Sequence, residues 1–314
     1  MNFLRYFSGL SCIFFAVFNG RLQAQSLYIR TFGAKENPAL VFLHGGPGYN
    51  AASFELSTAQ TLADSGFYVV VYDRRGEGRS PDVKAAYTFK ESFSDLLLVY
   101  RTSGIRKATL LGHSFGGILG TLFSMRYPGK VDALVLAGVP LNLQESFTHI
   151  RNRVKSIYIE KKDHTNLKYI YALEKMDSTS MEYASYCFMH AMQNGFYSPA
   201  DLTREAKDIY TKMAADSQHV LLSQMSREAP AGFWRNENYT TLDITPSLQA
   251  LQAQKLPVYA VYGREDGLYS PTQVQALQNI LPQGHLLYPE NCSHNVFIDQ
   301  QALFIRFLKE KHGL

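Results

Sequence analysis

Gly112-His113-Ser114-Phe115-Gly116 brings a hydroxyl side chain to a place where it could act as a nucleophile. An apolar, β-like run at residues 108–111 precedes it, and a helix-like run with Ile118, Leu119, Leu122 and Phe123 follows. The order predicts a strand, a sharp turn and a helix, with Ser114 in the turn. Such a turn holds the serine in a strained backbone conformation costing roughly 1–3 kcal/mol, and the flanking glycines let helix and strand approach. The hydroxyl then projects into the open, where it could attack a carbonyl.

Attack of that kind leaves a negative oxygen in the tetrahedral intermediate. His44-Gly45-Gly46-Pro47-Gly48 follows the apolar run 39–43 and opens a loop at the end of a predicted strand. Two backbone amides aimed at the oxygen are worth about 10²–10³-fold each in rate, and the sequence nominates those of Gly46 and Phe115, the residue after the nucleophile.

A serine hydroxyl also needs a histidine base held in one tautomer by a carboxylate. In sheets that carry such a turn, the chain order is serine, acid, histidine. The run 257–262 reads as a buried strand, and Gly263-Arg264-Glu265-Asp266-Gly267 follows as a loop able to present Asp266, with Glu265 as the alternative. His294 lies on a loop after the strand-like 285–288 and before an amphipathic helix over 299–311. His285 reads as a strand residue, and the turn constrains the His113 side chain. A further motif, Asp73-Arg74-Arg75-Gly76-Glu77-Gly78-Arg79-Ser80, reads as a structured loop near the site, with Asp73 paired to Arg75.

Taken together, the His44 to Gly48 loop, the Asp73 to Ser80 loop, Ser114, Asp266 and His294 resemble the α/β-hydrolase superfamily and, within it, the prolyl iminopeptidase branch. The resemblance spans residues 26–314. It implies release of an N-terminal residue, often proline, from a peptide, with acidic cap residues holding the free amine. Glu237, in Phe233-Trp234-Arg235-Asn236-Glu237, is the amine-anchor candidate beside its plain reading as a solvated loop acid. Two features depart from the branch: His113 and Phe115 replace a glycine and a tryptophan common there, and Gly267 stands where some relatives place an amine-binding glutamate. A carboxylesterase acting on small esters is therefore the alternative activity, and a receptor that keeps the fold without catalysis is the rival class.

The 314 residues carry 31 Lys+Arg against 27 Asp+Glu, a net +4 spread along the chain without a long basic run. That excludes a sequence signature for nucleic-acid or anionic-membrane binding. The histidines lack paired ligand spacing and no glycine-rich loop carries a phosphate-binding lysine, so the expectation is chemistry without metal or cofactor. Arg5, the apolar stretch 7–18 and Leu22-Gln23-Ala24 read as a signal peptide over residues 1–24, which predicts export to the periplasm or outside and no stable membrane insertion after cleavage. Cys187 and Cys292 would remain, far apart in sequence and with no pairing implied.

Strand-like and helix-like segments alternate from 27 to 138, the pattern of a mainly parallel sheet covered by helices. The alternation lapses over 141–245, an interval rich in aromatics at helical spacing, and resumes at Pro257. The reading is an α/β core over 25–140 and 246–314 with an inserted helical cap over 141–245. The cap would fold over the strand ends, and Phe233 and Trp234 would line a pocket for a small molecule or short peptide.

Overall fold

The computed structural model describes residues 27–314; the segment read as a signal peptide, 1–24, lies outside the described residues. The described chain has seven strands, β1 (Ile29–Phe32), β2 (Ala39–Leu43), β3 (Tyr68–Tyr72), β4 (Ala108–His113), β5 (Val131–Ala137), β6 (Val258–Val261) and β7 (Leu286–Leu287). They form one sheet in the order β1-β3-β2-β4-β5-β6-β7. Only β1 is antiparallel to its neighbour. Strands covered on both faces need no polar alternation, and β3 and β4 are buried at every position.

Two helices precede β3, α1 (Ala52–Phe54) and α2 (Gln60–Asp64), joined by a wider-wound turn over Glu55–Ala59. Then come α3 (Phe89–Ser103) after β3 and α4 (Phe115–Arg126) after β4. Thr88 starts α3 by accepting from Glu91 N at 3.1 Å. The sheet separates two apolar cores: Phe115, Ile118, Leu119 and Phe123 of α4 belong to one, and in the other Phe42 stacks on Phe54 while Phe297 meets both rings edge-on.

Between β5 and β6 the described chain makes no strand of the sheet. It runs through α5 (Leu143–Glu160), α6 (His164–Leu173), α7 (Met181–Gln193), α8 (Arg204–Ala215) and α9 (Glu228–Glu237) before α10 (Thr245–Ala253) returns to pack on α4. Leu143, Phe147, Ile150, Val154 and Tyr158 recur at helical spacing, and α5 buries this stripe while packing on α6 and α7. Side chains of Asn142, Asp163, Ser180 and Thr203 cap α5 to α8, so the helix starts are set by local chemistry. After β6 come α11 (Pro271–Ile280), a single turn α12 (Val296–Asp299) and α13 (Gln301–His312).

The crossing of α4 over β2 is close enough to require glycine. A methyl group at Gly116 would collide with the Leu43 carbonyl oxygen, and one at Gly112 with the Gly117 backbone. Neither backbone can yield. At Gly120 the nearest atoms are Leu134 and Leu43 methyl carbons at 3.1 Å, which can move. Gly116→Ala is accordingly expected to lower stability by at least ~1–3 kcal/mol in urea denaturation, with Gly120→Ala closer to neutral. Equal midpoints for the two variants would contradict the close crossing.

Candidate functional site

Parallel strands deliver their C-terminal ends to one edge of the sheet, and the three candidate residues follow three of those ends. Ser114 sits between β4 and α4 at φ 51° and ψ −125°, a conformation that a side chain other than glycine adopts at a cost. Two backbone bonds hold it there: Ser114 N donates to Ala137 O at 3.0 Å, and Gly117 N donates to Ser114 O at 2.9 Å. Phe115 opens α4, where the first N–H groups of a helix have no partner within it.

Asp266 follows β6 and His294 follows β7. His294 Nδ1 lies 2.8 Å from Asp266 Oδ2, both side chains being buried. Since a carboxylate accepts, Nδ1 carries the proton and Nε2 keeps the lone pair of a base. The other carboxylate oxygen, Asp266 Oδ1, accepts from Leu268 N at 3.0 Å, which fixes its plane. Glu265, the alternative acid, faces elsewhere and accepts from Ala200 N at 2.7 Å.

His113 binds the serine and histidine segments together, and Tyr269 stands beside them. His113 Nε2 is 3.1 Å from the His294 carbonyl oxygen, and the two rings lie 4.8 Å apart. Burial, with the His294 ring second, pushes the His113 pKa down to about 3, so it is neutral and donates through Nε2. Tyr269 donates from its hydroxyl to Gly138 O at 2.8 Å and stands 6.2 Å, ring to ring, from His294. Burial raises the Tyr269 phenol well above its ordinary value and keeps it protonated. The sequence reading gave His113 no role beyond its place in the nucleophile turn and did not single out Tyr269, which no local pattern marks.

The oxyanion candidates are organised by Arg74. Its guanidinium donates to the carbonyl oxygens of His44 and, at 2.6 Å, of Gly45, and its backbone N–H donates to His44 Nε2 at 3.1 Å. The Gly45–Gly46 peptide is trans, so turning the Gly45 oxygen toward Arg74 turns the Gly46 N–H to the opposite side. Gly45 itself lies against the nucleophile turn: a Cβ there would be 3.3 Å from Ser114 Cβ. Glu77 pairs with Arg74 at 2.8 Å and accepts from Gly48 N at 2.6 Å, closing the loop at both ends.

The Asp73 to Ser80 motif is a structured loop, but its pairing differs from the expectation. Asp73 binds Arg79 (2.7 Å) and accepts from Ala51 N (2.8 Å), while Arg75 reaches Asp82 and Asp95. Asp73 is fully buried beneath the loop and Arg75 points toward α3, so their side chains part. Phe233 is buried with its ring 5.0 Å from that of Phe115 and 5.8 Å from that of Phe89. Trp234, expected beside it in a pocket wall, donates its indole N–H to Thr179 O at 2.9 Å, within the insertion. Glu237 is half-buried at the end of α9: Oε1 accepts from Phe89 N at 2.7 Å at the start of α3, and Oε2 has no hydrogen-bond partner among the described residues. Cys187 and Cys292 are buried and unpaired, with burial raising both thiols.

The fold finds its counterpart in known proteins. The chain belongs to the alpha/beta hydrolase fold family, whose model matches residues 38–301. It is a hydrolase, and within the family it resembles the proline iminopeptidases. It is 26% identical to the proline iminopeptidase of Lactobacillus delbrueckii subsp. bulgaricus over 291 residues, 90% of this chain and 92% of the relative. The proline iminopeptidase PfmaB of Pestalotiopsis fici is 24% identical, over 92% of this chain and 96% of its own. Among solved structures, a proline iminopeptidase-related protein of Thermus thermophilus superposes with a TM-score of 0.64 at 25% identity, covering 90% of this chain and 92% of the other.

His285 provides an internal control for the base. Its Nδ1 is 2.8 Å from the carbonyl oxygen of Val258, the first residue of β6, so it sits at the sheet edge opposite the Asp266 and His294 loops. His294→Ala should abolish nearly all turnover, and His285→Ala should leave it close to the parent rate. The reverse ranking would identify a different base.

Proposed function

We propose that this protein is an exported serine hydrolase that removes an N-terminal residue from short peptides by acyl transfer, in the manner of the proline iminopeptidases it resembles. The observation that carries the reading is the 2.8 Å bond between Asp266 and His294 on the edge where strained Ser114 ends β4. In this mechanism Ser114 attacks the carbonyl while His294 takes its proton and hands it to the leaving amine. Asp266 stabilises the imidazolium, and the amides of Gly46 and Phe115 receive the oxyanion. A water activated by His294 then releases the acid. The helices over 141–245 act as a cap: Ser226 N donates to Gly48 O at 2.7 Å and Phe233 meets Phe115, contacts that favour a covered, water-poor site. Export rests on the apolar stretch after Arg5.

For the amine, Glu237 remains the candidate anchor. Its bond to Phe89 N fixes the carboxylate, and Oε2 keeps open lone pairs for an ammonium. One observation favours esters instead: Phe89, Phe115 and Phe233 make an apolar wall beside that single half-buried acid.

Ser114→Ala should cut turnover by about 10⁴–10⁶-fold and abolish fluorophosphonate labelling while the protein stays folded. More than a tenth of the parent activity in that variant would remove Ser114 as nucleophile. Glu237→Gln should lower kcat/KM for free-amine aminoacyl arylamides by about 10–100-fold, the scale of one charge-assisted hydrogen bond, and spare N-acetylated or simple ester substrates. Equal losses on both substrate sets would make Glu237 a helix cap only. Cleavage restricted to N-blocked substrates would leave the esterase reading.

A further inference from the structure

Asp299 ends the single turn α12 and is fully buried, yet the mechanism above does not use it. Its carboxylate joins two parts of the molecule. Oδ2 accepts from Ser293 N, the amide next to His294, at 2.9 Å. Oδ1 accepts from the Tyr210 hydroxyl of insertion helix α8 at 2.9 Å, and Asn295 Nδ2 donates to the same hydroxyl at 3.4 Å. Thr203, the N-cap of α8, donates to the Asp299 carbonyl at 3.4 Å. Ser293 adds its own tie to the insertion through Oγ, which donates to Phe196 O at 3.1 Å.

We propose that Asp299 is a positioning residue for the base: it locks the His294 loop to α8, and its negative charge favours the imidazolium that forms as Ser114 is acylated. The proposal rests on the serine-hydrolase reading. The titratable groups facing the carboxyl are Tyr210 from α8, Cys292 and His294 from its own loop, and Asp266 from the loop after β6. Burial keeps Tyr210 and Cys292 neutral. Asp299 itself is raised to about 6, by burial first, while the bonds from Ser293 and Tyr210 pull it back down. The charge is therefore present above about pH 6 and lost as pH falls through that value. Protonated Asp299 still accepts from Ser293, so what disappears is the charge beside His294 rather than the loop.

The test is the rate at which a fluorophosphonate labels Ser114 in the purified, full-length protein from mildly acidic to neutral pH. This readout needs no knowledge of the substrate. In the parent, the rate should fall on the acid side more steeply than one ionisation allows. Asp299→Asn keeps an acceptor for Ser293 and a partner for Tyr210 but carries no charge. It should label about tenfold more slowly at neutral pH, the equivalent of one pKa unit of lost interaction, with a shallower acid limb. Asp299→Glu should recover part of that rate. Tyr210→Phe removes a bond that lowers the Asp299 pKa, so its acid limb should move to higher pH. Asn and Phe variants that fold normally and keep the parent limb would overturn the proposal while leaving the serine-hydrolase reading intact. No labelling of the parent protein would overturn both.

Discussion

The rest of the site depends on where the Arg74 guanidinium points. Almost no solvent reaches it, and it divides itself between the carbonyl oxygens of His44 and Gly45 and the carboxylate of Glu77. Burying an ion pair is costly, and one placed here gives little net stability over an apolar pair of the same volume. Its value is geometric. A loop of successive glycines has no side chains to hold it, so without Arg74 the Gly45–Gly46 peptide would be free to turn, and the Gly46 amide proposed to receive an oxyanion would turn with it. Preorganised donors act because they need no reorganisation during reaction. The Arg74 side chain supplies that rigidity from below, lying 5.3 Å over the ring of Phe115, the residue with the other nominated amide.

The insertion contributes by tying itself to the same few segments. Gly48 in the glycine loop receives Ser226, the acid loop receives the Phe196 carbonyl through Gly267 N at 2.9 Å, and the histidine loop receives Tyr210 through Asp299. These three hydrogen-bonded ties stop short of the candidate groups themselves, while the Tyr197 ring of the insertion meets the His294 ring directly at 5.3 Å. Movement of these helices would therefore reach all three loops at once. On the proposed reading of the insertion as a cap, a covered site and a correctly assembled one are the same conformation.

Most of the framework was legible from residue order. Strand 39–43 matches its apolar run residue for residue, because a strand covered on both faces can be continuously apolar and the chain leaves it at the glycine loop. Ser114, Asp266 and His294 could be nominated because each follows such a run. What remained hidden depends on packing between distant segments. The Asp73 partner could not be read from spacing, since Arg74, Arg75 and Arg79 are all within reach and only the fold decides that Arg74 turns under the glycine loop and Arg75 toward α3. Trp234 and Phe233 are neighbours with the same hydrophobic character, and the helix rotates one to Phe115 and the other to Thr179. Tyr269 and Asp299 carried no motif at all.

Asp299 also shows why such a residue is not what stability alone would select. A carboxyl raised to about 6 when folded, against an ordinary 3.8, binds its proton more tightly in the folded chain than in the unfolded one. Stability then falls as pH rises between those values, so the ionised form that would serve His294 is the less stable one. An asparagine would avoid that penalty, accepting from Ser293 through its oxygen and donating its amide to a Tyr210 hydroxyl turned into the acceptor. The carboxylate makes sense where a negative charge beside the histidine is worth more to the reaction than to the fold, the kind of conflict between local stability and function that concentrates at active sites.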